Sequence, residues 1–235
     1  MDVRVSAIIS AYYAEEYLIG RLDNLMSQGE GTEVVVVMQR NSPETRAISE
    51  YRCFQSSPVS GCVVLTDSIP TIYEAWNLGI EASSGKYLTN ANSDDRLYPG
   101  ALSYLADALD NHPDAAVVYA NSDIVTEIGG APVNRYEMPQ GGFDELMQGC
   151  FVGPMPMWRR DLHVKHGLFD ANFRTAGDYE FWLRVTAAGE KMLHLPRTIG
   201  AYTYRNDSAE RREKLRTLWE TVRARGRYRK EQVTP

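Results

Sequence analysis

The chain has 235 residues, 24% charged and 43% hydrophobic, with a formal net charge of −6, the composition of a soluble globular protein of one large or two small domains. Its three scattered cysteines (Cys53, Cys62, Cys150) form neither a disulfide framework nor a CxxC zinc site, and its four histidines lack HExxH spacing. No apolar run approaches the ~18–20 residues of a membrane span, and the N-terminus enters a strand-like pattern without a signal peptide, so a reduced, cytoplasmic setting is expected.

The first half alternates between strand and helix periods. Residues 3–10 (VRVSAIIS) are an apolar run of strand length. Residues 14–28 set Tyr17, Leu18, Leu22, Leu25 and Met26 at helical spacing. Four consecutive valines in GEGTEVVVVMQ mark a strand buried on both faces. Ser42 and Pro43 read as the N-cap and first position of a second helix. GCVVLT is a third strand, and TIYEAWNLGIEASSG a third helix closed by Gly85. KYLTNAN is a fourth strand, YPGALSYLADALDNHP a helix and AAVVYANSDIV a fifth strand. This alternation predicts an α/β fold, a Rossmann-like, mostly parallel sheet flanked by helices.

The second half is less regular. Residues 128–142, rich in Gly and Pro, predict a loop or short hairpin. FDELMQGC predicts a short helix, PMPMWRR a strand ending in two arginines, and residues 177–189 a buried helix. KMLHLP and TIGAYTY read as two strands before a polar terminal helix.

In an open parallel sheet, ligands bind beyond the carboxyl ends of the strands. The polar segments that follow the first, second and fourth strands are therefore the first candidates: SAYY, MQRNS and NSDD. In NSDD, Asp94 and Asp95 are adjacent carboxylates that repel each other. A Mg²⁺ or Mn²⁺ shared with a phosphate would relieve that repulsion. A turn or capping pair is the plain structural alternative. Asp178, beside Gly177, opens an apolar helix. It is either a carboxylate favoured by the helix dipole or a base held at a cleft edge. GxGxxG, Walker A and GxSxG motifs are absent, which disfavours dinucleotide enzymes, P-loop NTPases and serine hydrolases.

The ordered segments VSAIISAYYAEEYL, EVVVVMQRNSPET, TIYEAWNLGIEASSGKYLTNANSDD and FVGPMPMWRRDLHVKHGLFDANFRTAGDYEFWLR resemble the family 2 glycosyltransferases of the GT-A fold, in a bacterial polysaccharide or lipopolysaccharide subgroup. The resemblance implies an inverting transfer of a sugar from a UDP, dTDP or GDP sugar to a saccharide or lipid-linked acceptor, assisted by a divalent cation. It implies a single domain, with a nucleotide-sugar half (1–127), an acceptor and catalytic half (128–207) containing a small antiparallel part, and a basic C-terminal helix (208–235). By the same resemblance Asp178 is the catalytic base, with Gly177 where the family has Glu. Asp94 and Asp95 fall at the metal position. Ser10, Ala11, Tyr12, Glu15, Asn77, Asn92 and Ser93 fall with the donor-binding residues. Gln39 stands where the family usually has an Asp that reads the nucleobase; its amide can still donate and accept. Trp158, Arg159 and Arg160 are candidate acceptor-side residues. The missing Asp also motivates an alternative, a catalytically silent sugar-nucleotide-binding module.

Plain packing roles are expected for Tyr73 with Trp76, for Phe181 with Trp182, for His166 and His194, and for the three cysteines as small buried apolar residues. Asn206 stands where a third metal ligand is common in the family. The charge is uneven: residues 205–230 carry +6 and the rest −12. The terminal helix carries Leu215, Leu218, Trp219 and Val222 on one side. That stripe is expected either to pack on the domain or to meet an anionic inner-leaflet surface as a peripheral membrane contact.

Overall fold

The computed structural model describes residues 2–51, 60–205 and 212–229. Cys53 and Asn206 lie outside them. The elements of the first half are β1 (Val5–Ala11), α1 (Glu15–Met26), β2 (Thr32–Gln39), α2 (Pro43–Glu50), β3 (Ser60–Thr66), α3 (Ile72–Ala82), β4 (Tyr87–Asn90), β5 (Arg96–Leu97), α4 (Ala101–Asn111) and β6 (Ala115–Val125). The second half adds β7 (Asn134–Tyr136), α5 (Phe143–Leu146), β8 (Met157–Arg159), α6 (Asp161–His166), α7 (Gly177–Ala187), β9 (Lys191–Thr203) and α8 (Lys214–Tyr228).

The strands form one sheet in the order β3-β2-β1-β4-β8-β6-β9-β5, with β7 paired to β6. The β3-β2-β1-β4 block is parallel, as is β6 with β9. β8 lies between these blocks and is antiparallel to both neighbours. Alternate residues of each central strand serve opposite faces. Val34 and Val36 join Ala7, Ile9 and the apolar stripe of α1 and α4, while Val35 and Ile8 join Tyr73, Trp76 and the aromatic residues of α7. That is why the valine run of β2 has no polar alternation.

Two local expectations change. KMLHLP and TIGAYTY form one strand, β9, whose pairing with β6 skips between Ala120/Leu195 and Asn121/Thr198. Pro196, which has no N–H to give, sits in that irregularity, so the strand bends without ending. Gly85 does not close α3 with a left-handed turn. Its place beside β1 is a close approach: a Cβ there would meet the backbone nitrogen of Ser6 at 2.6 Å.

Candidate active site

A cleft of about 1080 Å³ opens at the carboxyl ends of β1 and β4. Ser10 and Tyr12 line it after β1, and Asn92, Ser93 and Asp94 after β4. Asp178, in the first turn of α7, lines it from the other half of the chain. Tyr13, in the turn from β1 to α1, holds a left-handed φ of 52°, a costly conformation for a bulky residue, beside Tyr12 at the cleft mouth.

The two aspartates of NSDD part company. Asp94 faces the cleft, where its Oδ2 lies 3.6 Å from Nη1 of Arg205. Asp95 turns inward and is 1% exposed. Its oxygens accept from the Asn92 side chain at 3.0 Å and the Thr203 backbone N–H at 3.0 Å. Burial, and then the neighbouring Asp94 charge, push the Asp95 carboxyl up to about 7. The expectation of Asp95 as a metal ligand is therefore corrected: it ties the β4–β5 turn to β9. Among the described residues no three His, Cys, Asp or Glu side chains converge as a metal cage.

Asp178 is held from two sides. The buried Tyr73 hydroxyl donates to its Oδ1 at 3.0 Å. Burial beside this carboxylate holds the Tyr73 phenol well above its usual range, so it stays a donor. The Tyr73 ring lies against Gly177, where a Cβ would approach its Cδ2 to 2.7 Å. The loop before Asp178 is fixed by Glu220 of α8. This buried carboxylate accepts from the backbone N–H groups of Arg174, Thr175 and Ala176 at 2.8–3.0 Å, and from the Thr175 hydroxyl at 3.1 Å. Three consecutive N–H groups at a helix start, satisfied by one carboxylate, fix the entry of α7.

Other expected residues lie elsewhere. Ala11 is buried in the core, and Glu15 is exposed on the first turn of α1. Gln39 donates to the backbone of Asp67 at 3.3 Å and is not among the residues lining the cleft. Asn77 clamps the Phe169 backbone, donating at 2.8 Å and accepting at 3.0 Å. Trp158 lines the cleft floor but is buried, with its indole N–H on His163. Arg159 donates to the carbonyls of Leu109, His112 and Ala115, and Arg160 to Ser83. Because β8 runs against β4, its end points away from the cleft, and Pro154 and Pro156, before it, face the cleft instead. The acceptor-side expectation for these two arginines is corrected on that ground.

Sequence reasoning passed over several cleft residues. Tyr73, for which core packing was favoured over a sugar contact, is in the core and also touches Asp178. Arg174, Arg205 and Arg212 are also among the lining residues. Cys150, expected to be buried, is exposed at the cleft, and Cys62 is half-buried.

The model of glycosyl transferase family 2 matches residues 6–166. An uncharacterized glycosyltransferase of Rickettsia prowazekii is 24% identical over 199 residues, which is 77% of this chain and 58% of the relative. The chondroitin synthase of Pasteurella multocida is 24% identical over 207 residues, 81% of this chain and 20% of the relative. The chain thus spans less than two thirds of these relatives. Among solved structures, S. aureus TarS 1-349 in complex with UDP-GlcNAc matches with a TM-score of 0.74 at 18% identity, over 96% of this chain and 66% of that one. Mannosyltransferase PcManGT from Pyrobaculum calidifontis, in complex with GDP-Man and Mn²⁺, matches with a TM-score of 0.72 at 15% identity, over 100% of this chain and 66% of that one.

Proposed function

The chain belongs to glycosyl transferase family 2, and from that premise we propose that it transfers a sugar from a nucleotide-diphosphate sugar to an acceptor hydroxyl, inverting the anomeric centre. Its sheet has the GT-A arrangement that the sequence resemblance implies. The observation that carries the reading is two carboxylates from opposite halves of the chain in one cleft: Asp94 beside Arg205, and Asp178 held by Tyr73.

Ser10, Tyr12, Asn92 and Ser93 form the donor side, with Tyr12 available to stack on the base. The structural neighbours hold UDP-GlcNAc and GDP-Man, which supports a donor of the UDP, dTDP or GDP type. A divalent cation fits the chemistry of the site in a minimal way. Mg²⁺ keeps several waters and needs only one or two protein carboxylates when phosphates complete its shell. Asp94 would hold it, and the bound cation would neutralise charge on the departing diphosphate. Arg174, Arg205 and Arg212 add positive charge to the same cleft.

Asp178 accepts the proton of the acceptor hydroxyl as that oxygen attacks the anomeric carbon opposite the departing diphosphate. Tyr73 keeps the accepting carboxylate in place. The acceptor is a saccharide or a lipid-linked sugar of a bacterial surface polysaccharide or glycolipid, handled at the cytoplasmic face of the membrane. No helix among the described residues is long and apolar enough to cross a membrane. The test is Asp178→Asn. Donor binding should persist while turnover falls by ~10²–10⁴-fold, the range of general-base assistance. Near-normal turnover would remove Asp178 from the role of base.

A further inference from the structure

Helix α8 has two faces of different chemistry. Its inner face is fully used. Glu220 and Ala224 are buried, Arg225 donates to the Tyr179 hydroxyl and the Gln148 carbonyl, and Arg227 pairs with Asp170 and Glu180. Of the two expectations for its apolar stripe, packing on the domain and contact with a membrane surface, the structure removes the first. Leu215 is 85% exposed, Leu218 62%, Trp219 59% and Val222 59%. These positions, spaced three and four apart, form one continuous stripe.

The charges follow the same division. Lys214, Arg216 and Arg229 are exposed around the stripe, Arg216 while also paired with Glu213, and Arg223 lies over the Trp219 ring. The only two acidic residues between 212 and 229 are Glu213 and Glu220. Glu220 is buried and caps the 174–176 loop, and Glu213 is half-buried and paired with Arg174 and Arg216. Among the described residues, the outer face therefore combines an apolar stripe with a cationic rim and no unpaired carboxylate. This pattern suits a lipid interface, where apolar side chains sit below the headgroups and cations among anionic ones.

We propose that this outer face of α8 docks on an anionic lipid bilayer. The inference deepens the proposed work at the membrane face, and it is read by lipid binding without turnover, so either can fail alone. An isologous pair of chains meeting through α8 would bring the cationic rims together, which disfavours that occupant. Thr217 and Thr221 of the same helix, and Glu213 at its N-cap, border the cleft, so docking would hold the cleft close to a lipid-linked acceptor.

The experiment is co-sedimentation of the full chain with vesicles of phosphatidylglycerol and phosphatidylcholine, and with phosphatidylcholine alone. Removing the helix is not a fair test, because that would also remove Glu220. The variant is Leu218→Ser with Trp219→Ser, both outward-facing, with an unchanged melting temperature as the folding control. The expected result is binding to the anionic vesicles only, weakened by salt and reduced at least about tenfold in the variant. No binding, equal binding to both vesicle types, or equal binding by the variant would overturn the proposal. So would self-association that the variant abolishes in the absence of any vesicle binding.

Discussion

Tyr73 donates a 3.0 Å hydrogen bond to Asp178 while its ring occupies the space that a side chain at position 177 would need. The glycine and the tyrosine are one device: the missing side chain lets the phenol reach the carboxylate. A hydrogen bond to a charged group is worth roughly 1.5–3 kcal/mol. Tyr73→Phe should lower kcat about tenfold and leave the donor KM unchanged. Gly177→Ala should push the ring away and cost roughly 1–3 kcal/mol of stability by overpacking. Steady-state kinetics and urea unfolding check the two variants. A Tyr73→Phe enzyme with an unaltered kcat would leave the tyrosine a packing role only.

Glu220 is expected to matter more than anything else on α8. Glu220→Ala leaves three N–H groups of the 174–176 loop without their acceptor, at about 1–3 kcal/mol for each that water does not reach. We expect a lower urea midpoint and a fall in turnover larger than the loss of stability explains at low denaturant. Leu218→Ser, two residues away on the outer face, should change neither. If both variants behave alike, the loop does not depend on α8.

Asp95 gives a pH signature. Its folded pKa, about 7, lies above the ordinary 3.8. Between those values the folded chain holds a proton that the unfolded chain releases, so this group's contribution to stability falls as pH rises from about 4 to about 7 and is level above that. Asp95→Asn cannot titrate, so the difference in melting temperature, variant minus parent, should grow over that interval. A difference that is flat or shrinks with pH would contradict the buried, raised carboxyl.

Donor binding should depend on a divalent cation through Asp94. Calorimetry with UDP-GlcNAc or GDP-mannose, with and without Mn²⁺, is the measurement. Chelation should weaken binding of the accepted donor by tenfold or more, about the 1.4 kcal/mol of one modest charge interaction. Asp94→Ala should bind equally weakly with or without the metal. Metal-independent affinity in the parent would leave the charge of the diphosphate to Arg174, Arg205 and Arg212.

Much of this was readable from periodicity. The valine run of β2, the helices that follow β1 and β2, and the placement of NSDD after β4 all rest on local patterns that packing reinforced. What periodicity could not supply was direction. Arg159 and Arg160 follow an apolar run just as NSDD does, but β8 runs the other way, and strand direction is a property of pairing, not of composition. The same limit applies to the Asp94–Asp95 pair, whose members differ in burial because a turn separates their orientations. The stripe on α8 left two readings open for a related reason. An amphipathic helix usually buries its apolar side, but here Glu220, Arg225 and Arg227 make enough specific bonds to hold the polar side inward.

The position of β8 also bears on how the chain reaches its fold. Among the described residues, the three of β8 are the only strand pairing between the β3-β2-β1-β4 block and the β6-β9 block. Until they emerge from the ribosome, β4 and β6 each present an open edge that could recruit a foreign strand. The sheet must therefore close late, through pairings distant in sequence, a topology that folds slowly and exposes hydrophobic intermediates on the way. Fragments ending before residue 157 should accordingly collect as aggregates, whereas the intact chain can seal both edges with a single short strand.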